Sequence, residues 1–153
     1  MLRSPTLAVV ALLVAAAAPA SAPPARPARG AAHELVVENT DRGTTLHVHL
    51  RPGEVFYVVY QHSIYDQPVT EDFVVDDDGR IVLRAVTSPS AAVREYFGIT
   101  SAGERHAMAR TMPEIVLRIA TGTAQRLRAG GVERSFLELG EHGDRLVLRA
   151  RPS

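Results

Sequence analysis

Between Phe56 and Val75 (FYVVYQHSIYDQPVTEDFVV) stand His62, Ser63, Tyr65 and Glu71. These are residue types from which a general base, a nucleophile, a proton donor and a buried carboxylate are made. A serine beside a histidine invites acyl transfer. In an extended strand, however, neighbouring side chains point to opposite faces, so His62 serves as base for Ser63 only if the strand has ended or a tight turn falls at Ser63. An oxyanion hole would be needed as well. Glu71 poses a different question. A period of two places it with Val69, Phe73 and Val75 on one face, opposite Thr70, Asp72 and Val74. A carboxylate on an apolar face must be paired, hydrogen-bonded or neutralised, because an unpaired buried charge is costly.

The nearest candidate partners are His62, Ser63 and Tyr65, and His62 across the hairpin is the expected charge-assisted one. Two readings stay open. Either His62 and Glu71 hold the mouth of the hairpin with Tyr65 packed over them, or the mouth is a binding site. In the second case His62, Ser63, Tyr65, Pro68 and Glu71, joined by Tyr96 or Arg126, meet a small solute, a metal or a partner's loop. His47 and His49 project side by side from another strand in the manner of a metal-binding pair, but no third ligand is adjacent in sequence. A solvated sheet face next to Thr45 is the favoured reading, since a metal site needs three or four ligands. No metal or cofactor is expected.

The elements that must position these groups are strands. Val55 to Tyr60 and Val69 to Val75 are rich in β-branched and aromatic residues and flank a short polar segment closed by Pro68, which is a hairpin signal. Upstream, Glu34–Asn39 and Thr44–Leu50 read as a second hairpin around Asp41-Arg42-Gly43. Asp76-Asp77-Asp78-Gly79 is expected to turn rather than to bind calcium, since the other ligands of a calcium loop are missing. Arg80–Thr87 alternates as a further strand. Ser88-Pro89-Ser90 is placed to cap a short helix from Ala91 to Phe97, ended by Gly98. Ile99 to Met112 has no clear period and is expected to form a loop folded over one end of the sheet. Glu114–Thr121, Ala124–Arg128, Arg134–Leu139 and Asp144–Ala150 complete the strands, separated by glycine-rich turns. This spacing predicts an all-β antiparallel sandwich or barrel with one long irregular or short-helical insertion.

Composition narrows the function. The 153 residues hold 17 basic and 17 acidic side chains, so no electrostatic footprint for nucleic acid is visible. Cysteine is absent, which excludes disulfides, thiol nucleophiles and thiolate metal sites. Arg3, the apolar run Leu7–Ala18 and the small residues that follow have the three parts of a secretory signal peptide. Residues 1–20 are therefore expected to be a cleaved signal, 21–32 a Pro/Ala/Arg tether, and 33–153 a single β domain. The product would be periplasmic or extracellular, or anchored in the membrane if the signal is retained.

The segment Tyr60-Gln61-His62-Ser63-Ile64-Tyr65-Asp66-Gln67-Pro68-Val69-Thr70-Glu71 resembles the signature of the domain-of-unknown-function family 1850, in which an aromatic, a His-Ser pair, a Pro-Val pair and a Glu recur. The likeness extends to Tyr96-Phe97-Gly98 and, more weakly, to Gly122 through Leu127. Many relatives carry a glycine-rich loop where this chain has Glu95-Tyr96-Phe97-Gly98-Ile99-Thr100. The resemblance implies a small exported bacterial protein encoded beside a TRAP transporter whose solute receptor is of the TAXI type. Its partners would be the transporter's membrane subunit or that receptor. The expectation is thus a non-catalytic accessory or binding protein, the alternative being a small periplasmic hydrolase or metal-binding protein using the His62/Glu71 cluster.

Overall fold

Phe56 and Phe73 face each other across the central hairpin, their rings stacked with centroids 5.4 Å apart, and neither is more than 2 % exposed. Each contributes roughly 1.5–3 kcal/mol by leaving water. The computed structural model that shows this describes residues 30–153. The expected signal peptide and nearly all of the expected tether lie outside the described residues.

Ten strands form two antiparallel sheets: β1 (His33–Asn39), β2 (Thr45–Leu50), β3 (Phe56–Gln61), β4 (Pro68–Val75), β5 (Ile81–Thr87), β6 (Arg105–Met112), β7 (Ile115–Arg118), β8 (Arg126–Ala129), β9 (Val132–Ser135) and β10 (Arg145–Pro152). One helix, α1 (Ala91–Tyr96), and one 3-10 turn (Phe136–Glu138) interrupt them. The first sheet runs β2-β1-β10-β7 and the second β6-β5-β4-β3-β8-β9. The all-β expectation is met, and the open sheets are those of a sandwich. Leu35, Val37, Leu146 and Leu148 of the first sheet share one core with Phe56, Val58, Val69 and Leu83 of the second.

Two elements differ from the sequence expectation. Residues 105–112 form β6 rather than a loop, pairing along β5 with a bulge between Leu83 and Ala85. As an edge strand, β6 buries only His106 and half-buries Met108 and Met112, so no alternation marks it. Arg134–Leu139 is not one strand either. β9 ends at Ser135, whose side chain caps the 3-10 turn while Glu138 reaches back to the Ser135 backbone N–H. That reciprocal capping box overrides the alternation of Phe136 with its neighbours.

The connector from Ile119 to Gln125 ties the two sheets together at one end. Ile119 N–H donates to Asp144 O at 2.9 Å beside the first sheet, and Thr123 O accepts from Gln61 N–H at 2.6 Å at the end of β3. The predicted site lies at this end.

Candidate functional site

The β3–β4 hairpin closes at Gln61 opposite Pro68, and residues 62–67 form a loop held by its own backbone. His62 N–H donates to Gln67 O and Asp66 N–H to His62 O, both at 2.8 Å. Asp66 takes a left-handed φ of 49°, which aspartate tolerates better than most residues. The loop turns His62 inward, leaving it 6 % exposed, while Ile64 (64 %) and Tyr65 (40 %) stay outside. Tyr65 stacks on the imidazole with ring centroids 5.1 Å apart.

α1 brings the second aromatic. Ser90 caps it by accepting from Val93 N–H at 3.3 Å, and Val93 is buried under it. Arg94 folds back to donate to the carbonyls of Ser88 and Pro89, fixing the helix to the end of β5. Tyr96 thereby meets His62 edge-on with centroids 5.0 Å apart, although it is itself 52 % exposed. Gly98 turns the chain away with φ 74°, as the sequence suggested.

On β4, Glu71 is 4 % exposed and on the inner face with Val69 and Phe73. The face assignment holds, but the partner differs: Glu71 pairs with Tyr60, not His62. The Tyr60 hydroxyl donates to Oε1 at 2.9 Å. Register explains the correction. Glu71 is opposite Val58, which makes Tyr60 the diagonal neighbour within reach of a long side chain, whereas His62 lies two further residues along. Tyr60 is the residue that sequence reasoning missed. The signal was its phase with Phe56 and Val58, usable only with the hairpin register known.

Electrostatics follow from this arrangement. Burial pushes the Glu71 carboxyl up to about 7, against the Tyr60 hydrogen bond and the Arg110 guanidinium, which both pull it down. Burial, then the Glu71 charge, raises the Tyr60 phenol, and Tyr96 lies near enough to act on it in the same direction. Burial lowers the His62 imidazole, whose Nδ1 accepts from Ile64 N–H at 3.3 Å. A neutral His62 bonded in this way carries its proton on Nε2.

The structure therefore joins His62 with Tyr65 and Tyr96 in one cluster, and Glu71 with Tyr60 in a second. It does not bring in Arg126. Val58 and Leu127 are paired and point inward, so Arg126, paired with Val59, projects from the opposite face, where Nη1 meets Glu133 at 3.4 Å. Pro68 is exposed at the closing pair, and Ser63 is exposed in the loop. His62 and Ser63 share no hydrogen bond among the described residues, since Ile64 N–H occupies Nδ1. A Ser–His contact exists elsewhere: Ser101 Oγ lies 2.9 Å from Nδ1 of buried His106, whose Nε2 is 2.8 Å from Gly103 O. A carbonyl only accepts, so Nε2 carries the proton and Ser101 donates. This closed turn pins the loop ahead of β6. His47 and His49 lie exposed on the outer face of the first sheet, the first 3.1 Å from Glu34 and the second 3.3 Å from Ser153 Oγ. Among the described residues, no group of three His, Cys, Asp or Glu is placed to hold a metal.

No family model matches the chain, and neither a curated protein nor a solved structure matches it.

Proposed function

We propose that the chain is an exported, non-catalytic binding protein that engages its partner through the mouth formed by the 62–67 loop and α1. The observation that carries this reading is the exposure of Ile64, Tyr65 and Tyr96, at 64 %, 40 % and 52 %, around a histidine that is itself buried. Aromatic side chains that are rigidly seated yet open to solvent are the usual anchors of recognition surfaces. Binding is preferred to hydrolysis because His62 Nδ1 is already engaged by backbone and Ser63 turns away into solvent.

The residues of this mouth are those that carry the resemblance to the domain-of-unknown-function family 1850. On that resemblance the partner is the TAXI-type solute receptor or the membrane subunit of a TRAP uptake system, and the site of action is the periplasm. The test is capture of the purified receptor, or of the detergent-solubilised membrane subunit, by the immobilised full chain. Saturable capture that Tyr65→Ala and Tyr96→Ala together abolish is the expected result. Absence of capture of both, or capture indifferent to the two substitutions, overturns it.

A further inference from the structure

One side-chain donor in the mouth is held in place and left without a partner. His62 Nδ1 is taken by Ile64 N–H, so the proton of the neutral ring lies on Nε2. Tyr65 stacks on the imidazole and Tyr96 meets it edge-on, which leaves the ring little freedom to turn. Burial lowers the imidazole below its ordinary range, so the ring is neutral at physiological pH. Among the described residues Nε2 has no acceptor, and the one buried side-chain nitrogen or oxygen that lacks a partner is Arg126 Nε. Nε2 itself therefore keeps contact with solvent, and part of the 6 % of His62 that stays exposed is this donor. The charges beside it are of one sign. Asp66 follows Tyr65 in the loop and Glu95 precedes Tyr96 on α1, and both are exposed. The one arginine of residues 62–67 and 91–96, Arg94, is engaged by the carbonyls of Ser88 and Pro89.

We propose that His62 Nε2–H selects an uncharged backbone carbonyl in an extended segment of a protein partner, with apolar side chains seated on Ile64, Tyr65 and Tyr96 and a basic residue alongside. This rests on reading the mouth as the binding surface and names what that surface takes. A neutral imidazole offers one hydrogen bond and no charge, which suits a carbonyl oxygen rather than an anion. A carboxylate would bring its charge to Asp66 and Glu95 with no free cation of the loop or helix to meet it, so small carboxylate solutes are refused. The same two acids attract a lysine or arginine next to the docked residue. A carbonyl inside a helix or sheet is already bonded, whereas one in an extended or proline-rich segment is free to accept. Aromatic-lined surfaces hold such segments by taking the side chains between rings while fixed donors take the carbonyls.

The test follows the full chain, labelled with nitrogen-15 at histidine, by NMR on the alkaline side of neutrality. Acetyl-Arg-Pro-Leu-amide, acetyl-Glu-Pro-Leu-amide and succinate are each titrated to millimolar concentration. In the free protein His62 should carry its proton on Nε2. The arginine peptide should shift Nε2 and the Tyr65 and Tyr96 ring signals saturably, while Nδ1, held by Ile64, stays in place. The glutamate peptide should bind several-fold more weakly, and succinate should move none of these signals. His62→Phe, which keeps an aromatic ring but no donor, should weaken the arginine peptide roughly tenfold, as the loss of one hydrogen bond does. Should that variant fail to fold, the Nε2 shift in the parent decides. A proton on Nδ1, an Nε2 signal that neither peptide moves, succinate bound at the same site, or equal binding of the two peptides each overturns the proposal. Failure to capture a TRAP component leaves these titrations untouched and counts only against that choice of partner. Capture that is lost in Tyr65→Ala and Tyr96→Ala but unchanged in His62→Phe counts only against the donor.

Discussion

Two polar clusters sit at the same end of the molecule, and they are built on opposite rules. Beside the first sheet, Asn39 is fully buried and fully used. Its Nδ2 donates to Leu139 O at 3.1 Å and to Asp144 Oδ2 at 2.9 Å, and its Oδ1 accepts from the backbone N–H groups of Asp41 and Arg42. Asp144 accepts in addition from Glu141 N–H and from Arg42 Nε. Those donors, led by the Glu141 backbone, hold its carboxyl down to about 2. On β4, Glu71 has one neutral donor, the Tyr60 hydroxyl, and rises to about 7. A saturated network fixes a connection, whereas a buried carboxyl with a single neutral donor keeps its proton more tightly.

The comparison breaks most sharply at Gly140. A Cβ there would lie 2.1 Å from Asn39 Nδ2 and 2.5 Å from Asp144 Oδ2. Gly140→Ala must therefore push the network apart and strand buried groups, and we expect a loss of about 4 kcal/mol by urea denaturation. Asn39→Ala should cost about 3 kcal/mol, because Asp144 loses one of its donors and the two turn N–H groups lose their partner. Both variants should leave the Tyr65 and Tyr96 ring signals in place wherever the protein is folded. A loss below about 1 kcal/mol for Gly140→Ala would mean that the network is slack and the contrast is false.

Acid and base act on the two clusters in opposite directions. Asp144 has a folded pKa below its unfolded value, so what it contributes is present above about 3.8 and is lost as pH falls through about 2. Glu71 has a folded pKa above its unfolded value. The folded protein then binds the proton more tightly, and stability declines as pH rises from about 4.5 to about 7. That difference of roughly 2.5 pH units corresponds to about 3 kcal/mol. Glu71→Gln should accordingly be about 3 kcal/mol more stable than the parent at pH 8 and nearly equal to it at pH 4.5, by denaturation at both values. His62, lowered by burial, contributes the opposite slope below its ordinary pKa. The difference between parent and Glu71→Gln removes that term, so an unchanged gap between pH 4.5 and 8 would show Glu71 to be solvated.

How much of this was legible beforehand divides along physical lines. Strands rich in β-branched and aromatic residues announced themselves, β1, β3, β4 and β5 among them, because such runs between turn signals fit a buried sheet. The edge strand β6 did not, since one wet face and one wet edge leave little to alternate. The depth of Glu71 was read from its phase with Val69 and Phe73. Its partner was not, because a six-residue hairpin loop does not fix register, and a two-residue slip exchanges Tyr60 for His62 as neighbour. Tyr96 is a candidate on sequence, but its seat on His62 depends on Arg94 reaching back to Ser88 and Pro89, a tertiary detail with no sequence period. Arg126 was misplaced for the same reason, since its face is fixed by the pairing of β8 with β3.

The corrected pairing can be sharpened by coupling energies. Tyr60→Phe and Glu71→Gln should be non-additive by about 1 kcal/mol at pH 6, where the hydrogen bond between them is intact. His62→Ala combined with Glu71→Gln should be additive within about 0.5 kcal/mol, because no hydrogen bond links them. The reverse pattern would restore His62 as the partner.

The smallest change in stability is expected where the effect on recognition is greatest. Tyr65 contributes one stacked face to His62 and Tyr96 one edge, and both rings keep 40 % or more of their surface in water. Truncating either to Ala forfeits an aromatic contact worth about 1 kcal/mol and little burial, so the unfolding midpoint should fall only slightly. Anchors of a binding surface behave differently, since a seated aromatic costs upwards of about 2 kcal/mol of affinity when removed, roughly thirtyfold in Kd. Calorimetry with whichever TRAP component is captured should therefore show Tyr65→Ala and Tyr96→Ala binding at least about thirtyfold more weakly. Gly140→Ala, at temperatures where it is folded, should bind as the parent does. Were the tyrosine variants to lose several kcal/mol of stability instead, the rings would belong to the core of the hairpin, and the mouth would be a second structural latch.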